Sequence, residues 1–160
     1  MALIYAQPTE TDLLDPHQLA ARLMEVVATA EHRLLSMDEQ AASHAPASGK
    51  WTPKEVLGHL LDSAANNWQR FVRLQLQPSI DLAGYEQESW VRVQHYNERP
   101  WLEVIALWVA LNHHLAHTIT HTDRAALTNI WHFKSEDLTL GFIIEDYIAH
   151  IEHHLRQIFR

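Results

Sequence analysis

The sequence predicts an all-α protein, a four-helix bundle, on three observations. Four stretches repeat apolar residues at the spacing of one helix face. Two of them open on recognisable helix-start signals, and nothing between them reads as a confident strand, repeat or low-complexity linker. At 160 residues and 47% hydrophobic composition, the chain has the length of a single domain, residues 1–160, with enough apolar surface for one core.

The first helix opens at Asp15-Pro16, a capping residue followed by a proline suited to the first helical position. Leu19, Leu23, Val26, Val27, Ala30 and Leu34 then recur on one face. The second starts at Thr52-Pro53-Lys54-Glu55, a capping box with Thr52 at N-cap and Glu55 at N3. Its stripe runs from Val56, Leu57, Leu60, Leu61 and Ala64 to Trp68 and Phe71, and it ends near Pro78. The third begins at Pro100 and carries Trp101, Val104, Ile105, Trp108, Leu111, Leu115 and Ile119. The last starts near Thr139 and runs through Ile143, Ile144, Tyr147, Ile151, Leu155 and Ile158.

The connection from about 78 to 99 is long for a tight turn. Either it crosses the length of the bundle, leaving helices two and three parallel, or it holds a short helix around Ser89 to Tyr96. Long ordered connections in small domains often serve as lids or binding loops.

Composition removes several function classes. A net charge of −8 argues against binding nucleic acid through phosphates and against docking on anionic lipid. No apolar run reaches the length of a membrane span, about 18 to 20 residues. The opening Met-Ala-Leu-Ile-Tyr lacks a basic region followed by a long apolar core, so a soluble cytoplasmic protein is expected. Four scattered glycines build no phosphate-cradling loop. With no cysteine there is no disulfide, thiolate nucleophile or Cys-based zinc site. The expected partner is a small-molecule substrate, and a homodimer is compatible with the composition.

Any metal must therefore be held by imidazole and carboxylate, and the chain has thirteen histidines, spread from His17 to His154. Residues i and i+4 lie almost one above the other on a helix. His150 and His154 therefore project side by side, on the inner flank of the last helix's apolar stripe. His59, two turns into helix two, also flanks its stripe and is in a position to supply a third ligand. His153 falls farther outside and reads as a solvated bystander. His113, His117 and His121 also repeat every four residues, but opposite the face of Trp108, Leu115 and Ile119, which makes them surface residues.

The segments Trp51-Thr52-Pro53-Lys54-Glu55-Val56-Leu57-Gly58-His59-Leu60-Leu61-Asp62-Ser63 and Asp146-Tyr147-Ile148-Ala149-His150-Ile151-Glu152-His153-His154-Leu155-Arg156-Gln157-Ile158 resemble the two signature helices of the DinB/YfiT-like metalloenzyme superfamily. That pattern is a tryptophan and capping box leading to a histidine, then His-x-x-x-His-x-x-Gln in the final helix. The resemblance covers nearly the whole chain. It implies an up-down-down-up bundle with a long crossover between helices two and three. It also implies one divalent ion per chain, nickel or zinc, on His59, His150 and His154, with metal-dependent hydrolysis or transfer using a low-molecular-weight thiol as the activity.

Three imidazoles leave an ion with open positions, as in catalytic rather than structural sites. Such an ion lowers the pKa of water or holds a thiol as thiolate. Asp62, one turn after His59, and Asp146, one turn before His150, are the candidate catalytic carboxylates; as solvated helix charges they would have no such part. Glu55 is explained by capping. Trp51 and Trp90 either line a pocket mouth or belong to the core, while His95 and His132 read as loop residues. The alternative to an enzyme is a non-catalytic module in which the ion staples the bundle, with Asp62 or Asp146 as a fourth ligand.

Overall fold

The computed structural model describes residues 5, 6 and 9–159. The first four residues, read above for a leader, lie outside that range. Six α-helices are formed among the described residues: α1 Pro16–Leu35, α2 Glu39–Ala42, α3 Pro53–Leu76, α4 Gln87–Gln94, α5 Trp101–Thr120 and α6 Leu140–Ile158. The four long ones are the four expected helices. None is long and apolar enough to cross a membrane.

Both start signals form. Asp15 accepts from the backbone N–H of His17 at 2.9 Å. The Thr52 hydroxyl accepts from Glu55 N–H at 3.1 Å, and the Glu55 carboxylate accepts from Thr52 N–H at 2.8 Å. These bonds satisfy N–H groups that have no partner inside the helix. α3 stops where Gln77 turns extended, as a residue before proline must. Thr139 caps α6 through Phe142 N–H.

The core forms along the apolar stripes. Leu23, Val27 and Leu34 of α1, Leu57 and Leu60 of α3, Trp108 and Leu115 of α5, and Ile144 and Ile151 of α6 are fully buried. Burying each such side chain contributes about 1.5–3 kcal/mol before chain entropy is counted. α5 packs against α1 and α3, and α6 against α3. Trp68 departs from its expected core place: it is 39% exposed and meets His114 of α5 edge to face.

Polar links join the helix ends. The buried Lys54 ammonium donates to Glu39, whose other oxygen accepts from Trp101 N–H at 2.7 Å. The Trp101 indole donates to the Leu34 carbonyl at 3.1 Å. At the opposite end of α3, the Asn129 amide donates to the Leu74 carbonyl, while the Asn129 carbonyl accepts from Leu140 N–H.

A small sheet corrects the expectation of no strands. β1 Ser79–Asp81 pairs parallel with β2 Ile130–Phe133, which pairs antiparallel with β3 Glu136–Thr139. Strands of three and four residues are too short to display an alternating pattern. The hairpin turn is Lys134-Ser135, with Lys134 at φ 57°, where hairpins usually place Asn or Gly. The long connection thus begins with β1 and holds the short helix α4.

Candidate metal centre

α3 and α6 face each other across the core, and each turns one edge of its buried stripe toward the other. His59 from α3 and His150 and His154 from α6 meet there, at 0%, 6% and 8% exposure. One ring nitrogen from each lies within 4.8 Å of the other two, and no carboxylate joins this cluster among the described residues. The Nε2 atoms of His59 and His150 are 3.0 Å apart.

Second partners orient the rings. His154 Nδ1 lies 3.1 Å from Gln157 Oε1; a carbonyl oxygen only accepts, so Nδ1 carries the proton. That tautomer leaves Nε2 of His154 as a bare lone pair, and this buried atom has no hydrogen-bond partner. The other end of the Gln157 amide meets His153 Nε2 at 3.1 Å. His153 is therefore no bystander: half-buried, it fixes the glutamine that fixes His154. His150 Nδ1 meets the Ser63 hydroxyl at 3.2 Å. Ring partners of this kind set the tautomer of metal-ligating histidines.

The electrostatics agree. Burial, then the neighbouring His154, pushes His59 down to about 3. Burial pushes His154 down to about 4 against the opposing effect of its hydrogen bond to Gln157. His150 is held well below its ordinary value by burial and by the other imidazoles. All three are neutral at pH 7, the form that donates a lone pair to a cation. An orphaned, buried Nε2 beside two nitrogens at 3.0 Å fits a metal ion: without a cation, one of that pair must spend its lone pair on the other's proton.

The candidate carboxylates lie outside the cluster. Asp62, 2% exposed, accepts from the Tyr96 hydroxyl at 2.7 Å and from the Gln94 amide, tying α4 and the turn after it to α3. Asp146 accepts from the backbone N–H groups of Tyr5 and Ala6. This clamp lays the Tyr5 ring against His150, His153 and His154, with centroids at 4.8, 5.0 and 6.0 Å. Burial raises both carboxyls, Asp62 to about 6.

A cavity of about 150 Å³ adjoins His150 and Asp146, between α3, α6, the 78–99 connection, the sheet and Tyr5. Arg70, Tyr85 and Trp131 line it and were not singled out from the sequence. Arg70 alone had a signal, the run His59, Ser63, Asn67, Arg70, polar residues at helical spacing on the buried face of α3. Trp51, half-buried against the core, sits against His59 with ring centroids 5.3 Å apart, and Trp90, 38% exposed, packs on Tyr85. His95 is exposed, and His132 pairs with Asp137 on the surface. His113, His117 and His121 are exposed, as expected.

The sequence profile of the DinB superfamily matches residues 22–158. In structure the chain is similar to YfiT of Bacillus subtilis, described as a probable metal-dependent hydrolase with an unusual four-helix bundle topology. The TM-score is 0.85 at 19% identity, covering 96% of this chain and 90% of that one. At that identity the likeness speaks for the fold. Among curated proteins none matches the chain in sequence.

Proposed function

We propose that this chain, which belongs to the DinB superfamily, is a metal-dependent hydrolase acting on a small molecule. The observation that carries the reading is the cluster of three buried, neutral imidazoles at the end of a cavity. His59, His150 and His154 would hold one divalent ion, nickel or zinc being suited to imidazole donors. That ion supplies Lewis acidity, which polarises a substrate carbonyl and acidifies water. Gln157 and Ser63 keep the ring lone pairs aimed at the cluster. Tyr5 lies against His150 and His154, where it would shield them from bulk water. Asp146 lines the cavity with a carboxyl that burial raises above its ordinary value, a property suited to taking up a proton there. Asp62 serves as the anchor of the connection.

One observation favours thiol-dependent transfer as a second reading. A separate groove of about 760 Å³, lined by Lys50, Trp51 and Gln157 among others, reaches His154 and offers room for a low-molecular-weight thiol. For the bundle itself we propose the up-down-down-up order with a crossover between α3 and α5. It is supported by the links that bring the end of α1 to the start of α5, and the start of α6 to the end of α3.

Metal-reconstituted protein assayed with activated esters, and with electrophiles plus thiols, tests the function. Metal-dependent turnover that is lost in His59→Ala is the expected result. A fully loaded protein inert to both substrate classes would overturn it.

A further inference from the structure

Arg70 is a charged side chain in the wrong place for a purely structural role. It is 7% exposed, lines the cavity beside His150, and has no carboxylate within 4.0 Å among the described residues. Its guanidinium lies over the Trp131 ring at 3.9 Å. The one hydrogen bond it makes among those residues runs from Nη1 to Asn67 Oδ1 at 3.0 Å. A guanidinium has five N–H donors, and a buried ion lacking a counter-charge costs several kcal/mol. Burial lowers its pKa only to about 10, so it stays protonated at neutral pH.

The cavity around it says what would complete it. Tyr85, Trp131, Phe133, Phe142 and Tyr147 supply aromatic walls. About 150 Å³ is the size of cavity that takes one benzene-sized molecule. Asp146 lines the same space, so the cavity has one cation and one carboxyl. A single guanidinium suits a monoanion better than a phosphate dianion, which the Asp146 carboxyl on the same wall also disfavours. Along α3, Ser63, which meets His150, and Arg70 are seven residues apart, a rise of about 10 Å.

We propose that the cavity is the substrate site and selects small carboxylates of about single-ring size, with Arg70 receiving the carboxylate and the reacting group lying toward His150. This rests on the hydrolase reading for what happens at the His150 end; the Arg70 end stands on its own contacts. A planar guanidinium matches a carboxylate with two parallel N–H···O bonds, and its place over the Trp131 ring holds it at the cavity wall.

The test is titration of the protein, as purified and after chelation, with benzoate, benzamide and inorganic phosphate, read by calorimetry and by Trp fluorescence. Benzoate should bind both forms about 10- to 100-fold more tightly than the isosteric benzamide, and phosphate should bind more weakly than benzoate. Arg70→Met should reduce benzoate to the benzamide level, and Arg70→Lys should fall between. Circular dichroism checks the fold of each variant; should Arg70→Met not fold, the benzoate–benzamide ratio of the unmodified protein and the Arg70→Lys variant still decide. Equal binding of benzoate and benzamide would overturn the proposal, as would tighter binding of phosphate or indifference to Arg70→Lys. Benzoate binding that needs the metal and ignores Arg70 would also overturn it, while leaving the metal site intact. Benzoate selectivity through Arg70 in a protein without hydrolytic turnover would instead count against the hydrolase reading alone.

Discussion

His59 Nε2 and His150 Nε2 lie 3.0 Å apart, although 91 residues separate them in the chain. Two bare lone pairs at that distance repel, so one nitrogen must be protonated or a cation must sit against both. Burial disfavours the imidazolium, so the pair is either a neutral N–H···N hydrogen bond or the seat of a metal cation.

Purified protein should carry about one divalent ion per chain. Elemental analysis should find it lost in His150→Ala/His154→Ala and retained in His113→Ala/His117→Ala/His121→Ala. The reverse pattern would move the site to the exposed face of α5.

Gln157 touches no ligand nitrogen that faces the cluster, yet it sets the proton on His154 Nδ1. Gln157→Ala should weaken metal binding about 10- to 100-fold, in the range seen when such outer partners are removed. Competition with a chromophoric chelator measures it. Unchanged affinity would show that His154 is oriented by packing alone.

Chelation should lower the melting temperature but leave helical circular dichroism intact at room temperature, since the stripes of four long helices close the core by themselves. The chelated protein should then lose stability on acidification. Unfolded histidine titrates near 6.5, while His59 and His154 fall to about 3 and about 4, so the unfolded chain takes up protons first. Their contribution is complete above pH 6.5 and is lost as the pH falls toward 4. Asp62, raised from 3.8 to about 6, and Asp146 work in the opposite direction, favouring the fold at low pH. Three imidazoles outweigh two carboxyls, with a slope of about 1.4 kcal/mol per pH unit for each net proton. Melting temperatures of chelated protein between pH 4.5 and 7.5 test this; a flat or rising profile on acidification would contradict it.

Asp62 and Gly58 hold the connection against α3. A Cβ at Gly58 would come within 2.1 Å of the Tyr96 ring, so Gly58→Ala must displace it, at about 1–3 kcal/mol. Asp62→Ala leaves the Tyr96 hydroxyl and the Gln94 amide without their acceptor, also about 1–3 kcal/mol. Denaturant titration measures both, and metal content should not change. An Asp62→Ala protein of full stability but without turnover would return Asp62 to the chemistry.

The four long helices were legible because each carries a full stripe and two of them a clear start, and His150/His154 because i, i+4 spacing reports a shared face directly. His59 could be placed on the flank of its stripe, but its pairing with His150 and His154 needed the resemblance, since nothing in spacing links α3 to α6. The sheet was hidden by its brevity and by Lys134-Ser135 in place of an Asn-Gly turn. Tyr85, Trp131 and Tyr5 were hidden for another reason: they reach the site through tertiary packing of a loop, a sheet and the N-terminal segment, which no periodicity records.

The most direct measurement is anomalous diffraction at the metal edge from a crystal of the purified protein. The expected result is one peak per chain, ligated by His59, His150 and His154 and open toward the cavity. A fourth protein ligand closing the ion would contradict a catalytic centre, and a peak beside His113, His117 and His121 would contradict the site itself.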